Sequence, residues 1–109
     1  MVSLQRYGEA LVISECALQI DPACVELLIM QGDALCGLGR HGDAIDSYER
    51  ALALDPGNVD ALNREGLAFQ ALFRYRDALT CHNRVLEIDP RSTAARTHRD
   101  LVLDKLSPV

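Results

Sequence analysis

The sequence predicts an all-α superhelix, a solenoid of stacked antiparallel helix pairs, and three observations carry that expectation. Asp-Pro stands at 21–22, 55–56 and 89–90, a constant interval of 34 residues. Within each interval apolar residues recur at spacings of three and four, which gives a helix one buried face. Small residues return to the same places on those faces, where two helices have to approach closely.

The repetition extends well beyond one dipeptide. Leu4/Leu38/Leu72, Arg6/Arg40/Arg74, Ala10/Ala44/Ala78 and Leu18/Leu52/Leu86 are identical in all three registers. Glu9/Asp43/Asp77, Leu11/Ile45/Leu79 and Ile20/Leu54/Ile88 keep their chemistry. With Asp and Pro these make nine matching columns without an insertion, the signature of a repeat architecture.

Six helices follow in order. Leu4–Gln19 matches the second helix of a pair whose first member is missing from the pattern. Val25 to Leu38 places Val25, Leu28, Ile29, Gly32, Leu35 and Leu38 on one face. Gly37, Gly39 and Gly42 around Arg40 and His41 predict the turn after it. Asp43 to Leu54 continues through Ile45, Tyr48, Ala51 and Leu52, and Pro56 ends it, because proline lacks an N–H and disfavours helical geometry at Asp55. Val59–Ala71 and Tyr75–Glu87 repeat the scheme, and Thr93–Leu106 closes the chain. Asn58 and Ser92 are good N-caps for the helices that follow them, whereas Cys24 is a weaker one.

The predicted organisation is half a repeat over 1–22, full repeats at 23–56 and 57–90, and a capping helix and tail over 91–109. The last helix has Arg96 where earlier periods place Leu28 and Leu62, and Asp100 where they place Gly32 and Gly66. That substitution solvates the end of the stack, with Ala95, Leu103 and Leu106 left to pack inward. At the other end Leu4, Leu11 and Leu18 are expected to lose part of their cover. This edge is a candidate for self-association into a homo-oligomer.

Composition narrows the function classes. A net charge of −5, one lysine (Lys105) and scattered arginines argue against nucleic acid, which demands clustered cations. No apolar run has the length that spans a bilayer, and the N-terminus lacks a secretory signal. Cys16, Cys24, Cys36 and Cys81 are too few and too irregular for a disulfide framework, which favours a reducing, cytoplasmic setting.

These residues resemble the tetratricopeptide repeat, whose period is 34 and whose pattern runs W-x2-L-G-x2-Y, then A-x3-F, then P. The first part reads Leu28-x2-Gln31-Gly32-x2-Leu35 and Leu62-x2-Glu65-Gly66-x2-Phe69. The second part reads Ala44-x3-Tyr48 with Ala51 and Pro56, and Ala78-x3-His82 with Val85 and Pro90. The departures are Leu for Trp, Gln or Glu for the motif Leu, and His82 for the aromatic.

The resemblance implies a non-catalytic protein–protein interaction scaffold that takes a peptide or partner helix along a concave face. The groove places it carries over are Glu26, Ile29, Met30, Asp33 and Cys36 from one repeat. The next repeat supplies Asp60, Asn63, Arg64, Leu67 and Gln70, and the final helix Thr97, His98, Leu101 and Asp104. Four of these fourteen are acidic and only Arg64 is permanently basic, while Ile29, Met30 and Leu67 form an apolar centre. The expected ligand is a neutral-to-basic segment with an apolar anchor. Chaperone-binding relatives clamp a C-terminal carboxylate at places that here hold Ile29, Asp33, Arg64, Ala94 and His98. Only Arg64 among them donates readily to an anion, so that clamp is disfavoured.

Catalytic and metal chemistry find little support. The cysteines form no C-x-x-C pair, and Cys81 and His82, adjacent on a helix, point about 100° apart. Cys36 and Cys81 read as packing residues and Cys16, aligned with Arg50 and Arg84, as a surface thiol. His41 belongs with Tyr7 and Tyr75 at the turns, and no histidine has a visible orienting partner for a thiol nucleophile. The expectation is therefore no enzyme, no cofactor and no metal. The alternative of a structural class is an assembly segment that self-associates into a longer helical array.

Overall fold

In the computed structural model residues 4–107 are described, with side chains from Arg6 onward. Six helices follow one another: α1 (Leu4–Ile20), α2 (Val25–Gly37), α3 (His41–Leu54), α4 (Val59–Ala71), α5 (Tyr75–Ile88) and α6 (Thr93–Leu106). No strand occurs among the described residues. Each helix packs on its neighbour in sequence, and α2 also meets α4, so alternate helices share a side of the stack. The array measures 46 × 28 × 21 Å.

The helix limits have local causes. Asn58 Oδ1 accepts from the Ala61 amide at 2.9 Å and Ser92 Oγ from the Ala95 amide at 3.2 Å, so α4 and α6 start on capped turns. Cys24 makes no cap bond to α2; its thiol donates to Glu26 Oε2 at 3.3 Å instead. The α2–α3 turn differs from expectation, because α3 begins at His41 and Gly37 and Gly42 lie inside helices. One left-handed residue is enough for the turn: Gly39, at φ 80°, lets the Arg40 amide reach Leu35 O at 2.8 Å. Phe73 takes the same place after α4 at φ 60°, and the Arg74 amide bonds Phe69 O at 2.8 Å. A bulky residue adopts that conformation at a cost, so the α4–α5 turn is the strained copy.

Small residues act as windows between paired helices. A Cβ on Gly32 would enter the Tyr48 ring, and one on Gly66 would lie 2.6 Å from His82 Cε1. Gly37 serves in the same way rather than as a turn residue, because the Tyr7 ring of α1 lies against it. Ala44 and Ala78 are wholly buried on the facing helices. Apolar side chains form two clusters along the stack, one around Leu11, Leu35, Ile45 and Phe69, the other around Leu18, Leu28, Leu62 and Val85.

The polar departures from the repeat motif are paired. Ser47 Oγ donates to Gln31 Oε1 at 2.9 Å, and one period later the Cys81 thiol donates to Glu65 Oε1 at 3.1 Å. Each polar residue in the motif's leucine place therefore meets a small polar partner on the next helix. A buried polar group without such a partner would be strongly destabilising.

Two expectations about the ends need correction. Leu11 and Leu18 are buried, because they face α2 and not the missing neighbour. The uncovered face of α1 shows Val12 and Ile13 instead, both largely exposed. Leu4 belongs to the same expectation, but its side chain lies outside the described residues. On α6, Val102 and Ala95 pack inward, each into a different core cluster, whereas Leu103 is exposed. Leu35 and Phe69 occupy the same column and are buried, but no helix follows α6 among the described residues to cover Leu103.

Candidate functional site

The side of the stack where α2 meets α4 carries the densest set of polar contacts between elements. Asp33 lies at its centre. Tyr48 Oη reaches Asp33 Oδ1 through the Gly32 window and donates at 2.6 Å. Arg64 Nη1 donates to Asp33 Oδ2 at 2.8 Å, which ties α4 to α2. The Cys36 thiol lies 3.7 Å from the same phenolic oxygen.

A cavity of about 450 Å³ opens beside this cluster. Asp33, Cys36, Arg64 and Leu67 line it, with Tyr7 from α1 and His41 and Tyr48 from α3. Four of the fourteen expected groove residues thus share one hollow. Tyr7, His41 and Tyr48 are additions that the repeat register does not supply. The signal for Tyr48 is Gly32 itself, since a residue without a side chain leaves a long ring room to cross from the second helix to the groove.

The other expected residues flank this hollow or lie apart from it. Met30 is exposed beside it in sequence on α2, whereas Ile29 is half-buried and packs against both core clusters. Glu26 and Asp60 are exposed in the first turns of α2 and α4. Asn63 is half-buried, its Oδ1 without a hydrogen-bond partner among the described residues. Gln70 Oε1 lies 2.7 Å from His82 Nε2, and the His82 ring stacks on His98 with centroids 5.4 Å apart. Thr97, Leu101 and Asp104 are exposed on α6 and do not line the hollow.

Burial sets the electrostatics. It pushes the Tyr48 hydroxyl well above its ordinary value, and the neighbouring Asp33 carboxylate adds to the shift, so the phenol remains a donor. Burial also raises the thiols of Cys36 and Cys81. Glu65 is raised by the same cause, and His82 is lowered to about 4 by burial and then by His98. No group of three or more metal-ligating side chains converges among the described residues, and no described helix is long and apolar enough to cross a membrane.

Comparison with known proteins agrees with this geometry. A family model described as a TPR repeat matches residues 32–72. The first TPR of Spaghetti (RPAP3), solved with an HSP90 peptide of sequence SRMEEVD, superposes with a TM-score of 0.90 at 25% identity, covering 94% of this chain and 81% of that one. The Sgt2 TPR domain from Aspergillus fumigatus gives 0.86 at 26% identity, over 94% of this chain and 69% of that one. The second TPR domain of human RPAP3, in complex with the HSP70 peptide SGPTIEEVD, gives 0.85 at 21% identity, over 91% and 82%. No curated protein matches by sequence.

Proposed function

We propose that this chain, a tetratricopeptide-repeat array by period and by fold, is a non-catalytic scaffold that binds a peptide or partner helix in the hollow between α1 and α4. The observation that carries the reading is the cavity of about 450 Å³ lined from four helices and bordered by the exposed apolar surface of Leu67. Pockets that accept ligands combine apolar walls with a few placed polar groups, and this one has Asp33, Tyr48 and Arg64 at its centre. Peptide-bound relatives of the same architecture support the class of partner. The repeats run over 23–56 and 57–90, so the two groove-lining helices are equivalent members of successive pairs.

The groove's acids, Glu26, Asp33, Asp60 and Asp104, outnumber its single arginine. Its ligand is a neutral-to-basic segment with one apolar side chain directed at Met30 and Leu67. Catalysis has no support from the thiols, because burial holds Cys36 and Cys81 in the protonated, unreactive form. The free cysteines fit a reducing, cytoplasmic setting.

Selection from a displayed heptapeptide library tests the reading. Basic sequences with one large apolar residue should emerge and should lose binding to Met30→Arg and Leu67→Arg variants, which remove the apolar anchor and add like charge. Selected peptides that bind both variants unchanged would place the site elsewhere.

A second reading rests on the uncovered face of α1. Gly8, Glu9, Val12 and Ile13 border a shallow, mostly apolar depression of about 690 Å³ there. A second copy covering that face would make the chain an assembly segment. The two readings are compatible and have separate tests.

A further inference from the structure

The single permanent cation of the expected groove is already engaged by a carboxylate of the protein. Arg64 and the Tyr48 hydroxyl come from different helices, α4 and α3, and both donate to Asp33, at 2.8 and 2.6 Å. Two donors from separate elements converging on one carboxylate constitute an anion site, and its occupant is resident. The pair is accessible, with the Arg64 and Asp33 side chains 45% and 38% exposed, and it borders the cavity proposed to hold the ligand. Building on the groove reading, we propose that Asp33 is a specificity-determining residue. By filling the anion site formed by Arg64 and Tyr48 it excludes acidic and carboxylate-terminated peptides and leaves the groove to neutral or basic ones.

The physical basis is competition for donors and for charge. A ligand carboxylate that approached Arg64 would have to displace Asp33 or lie beside it, and like charges in a partly desolvated hollow repel. A ligand ammonium or guanidinium still meets the charge of Arg64, but it can share Asp33, whose oxygens keep lone pairs free of their two protein donors. In Asp33→Asn the uncharged amide would still accept from Tyr48 through its oxygen while releasing Arg64. An exposed ion pair contributes little to stability, so the fold should survive its loss.

The test compares the unaltered protein with Asp33→Asn and with Asp33→Asn/Arg64→Gln. Fluorescence anisotropy follows three labelled probes: a heptapeptide ending in Glu-Glu-Val-Asp, its C-terminally amidated form, and a basic heptapeptide with one leucine. The expected result is that Asp33→Asn tightens binding of the acidic peptide by about tenfold or more, the scale of one charge-assisted hydrogen bond. The gain should shrink for the amidated form and vanish in the double variant. Equal affinity of the unaltered protein and Asp33→Asn for the acidic peptide overturns the proposal, as does a gain that persists without Arg64. The basic peptide separates this failure from failure of the groove reading. If it still shifts the α2 and α4 amide resonances, the groove stands and only the role of Asp33 falls; if no probe shifts them, both fall.

Discussion

Glu65 and His82 show how single buried side chains set the pH response of this stack. Glu65 is 5% exposed, its Oε1 accepting from Cys81 while Oε2 has no partner among the described residues. Burial raises its pKa, so its contribution to stability is present below the ordinary carboxylate value and is lost as pH rises through the folded one. Glu65→Gln copies the arrangement of Gln31 with Ser47. It should raise the melting temperature at pH 7, with the gain shrinking toward pH 4 in a thermal series. His82 has the opposite sign. Its pKa is lowered to about 4, so its contribution is intact above the ordinary value of 6.5 and is lost as pH falls toward 4. That loss is on the order of 2–3 kcal/mol, and His82→Phe should flatten the stability profile between these limits. Close packing is felt at the same scale. Gly66→Leu would drive a side chain into the His82 ring and Ala78→Leu would overfill a wholly buried site, so each should cost about 1–3 kcal/mol in denaturant melts. Unchanged melting of both would contradict the helix pairing.

At the scale of the element, the capped starts of α4 and α6 were the most legible features. Asn58 and Ser92 cap as their chemistry dictates, because a short side-chain acceptor one turn from a free amide needs no tertiary help. Cys24 occupies the equivalent place without a cap bond. Cys24→Asn should therefore stabilise the protein by about 0.5–1 kcal/mol, seen as a shifted denaturant midpoint with an unchanged slope. The α2–α3 turn was less legible, since three glycines competed for one left-handed position. Gly39 takes it, Gly37 is needed for the Tyr7 ring, and nothing lies near a Cβ at Gly42. Phe73, largely exposed at φ 60°, shows that the position tolerates a bulky residue under strain.

At the scale of the whole molecule, the two ends of the array differ. The α6 end presents Arg96 and Asp100 where inner helices bury Leu28 or Leu62 and close against Gly32 or Gly66. The α1 end presents Val12 and Ile13, with the half-buried Ala10 and Ala17 beside them. Both ends carry exposed apolar residues, but Val12 and Ile13 of α1 are more exposed than Leu101 and Leu103 of α6, so the assembly reading proposed above is tested on α1. Sedimentation velocity should show a concentration-dependent shift that Ile13→Glu removes. A constant monomer mass across the series would eliminate the assembly reading.

The 34-residue period, the six helices and the places of small residues were written in the sequence, because each depends on spacing along the chain or on backbone preference. That Asp33, Cys36, Arg64 and Leu67 share one side of the stack was legible for the same reason, and they line one hollow. The structure alone decided that Tyr48 crosses Gly32 to Asp33, that Arg64 already has a partner, and that Leu103 is exposed while Leu11 is covered. Those outcomes depend on which helix lies opposite and how closely it approaches. A repeat pattern fixes the face a residue occupies, whereas only packed helices determine what meets it there.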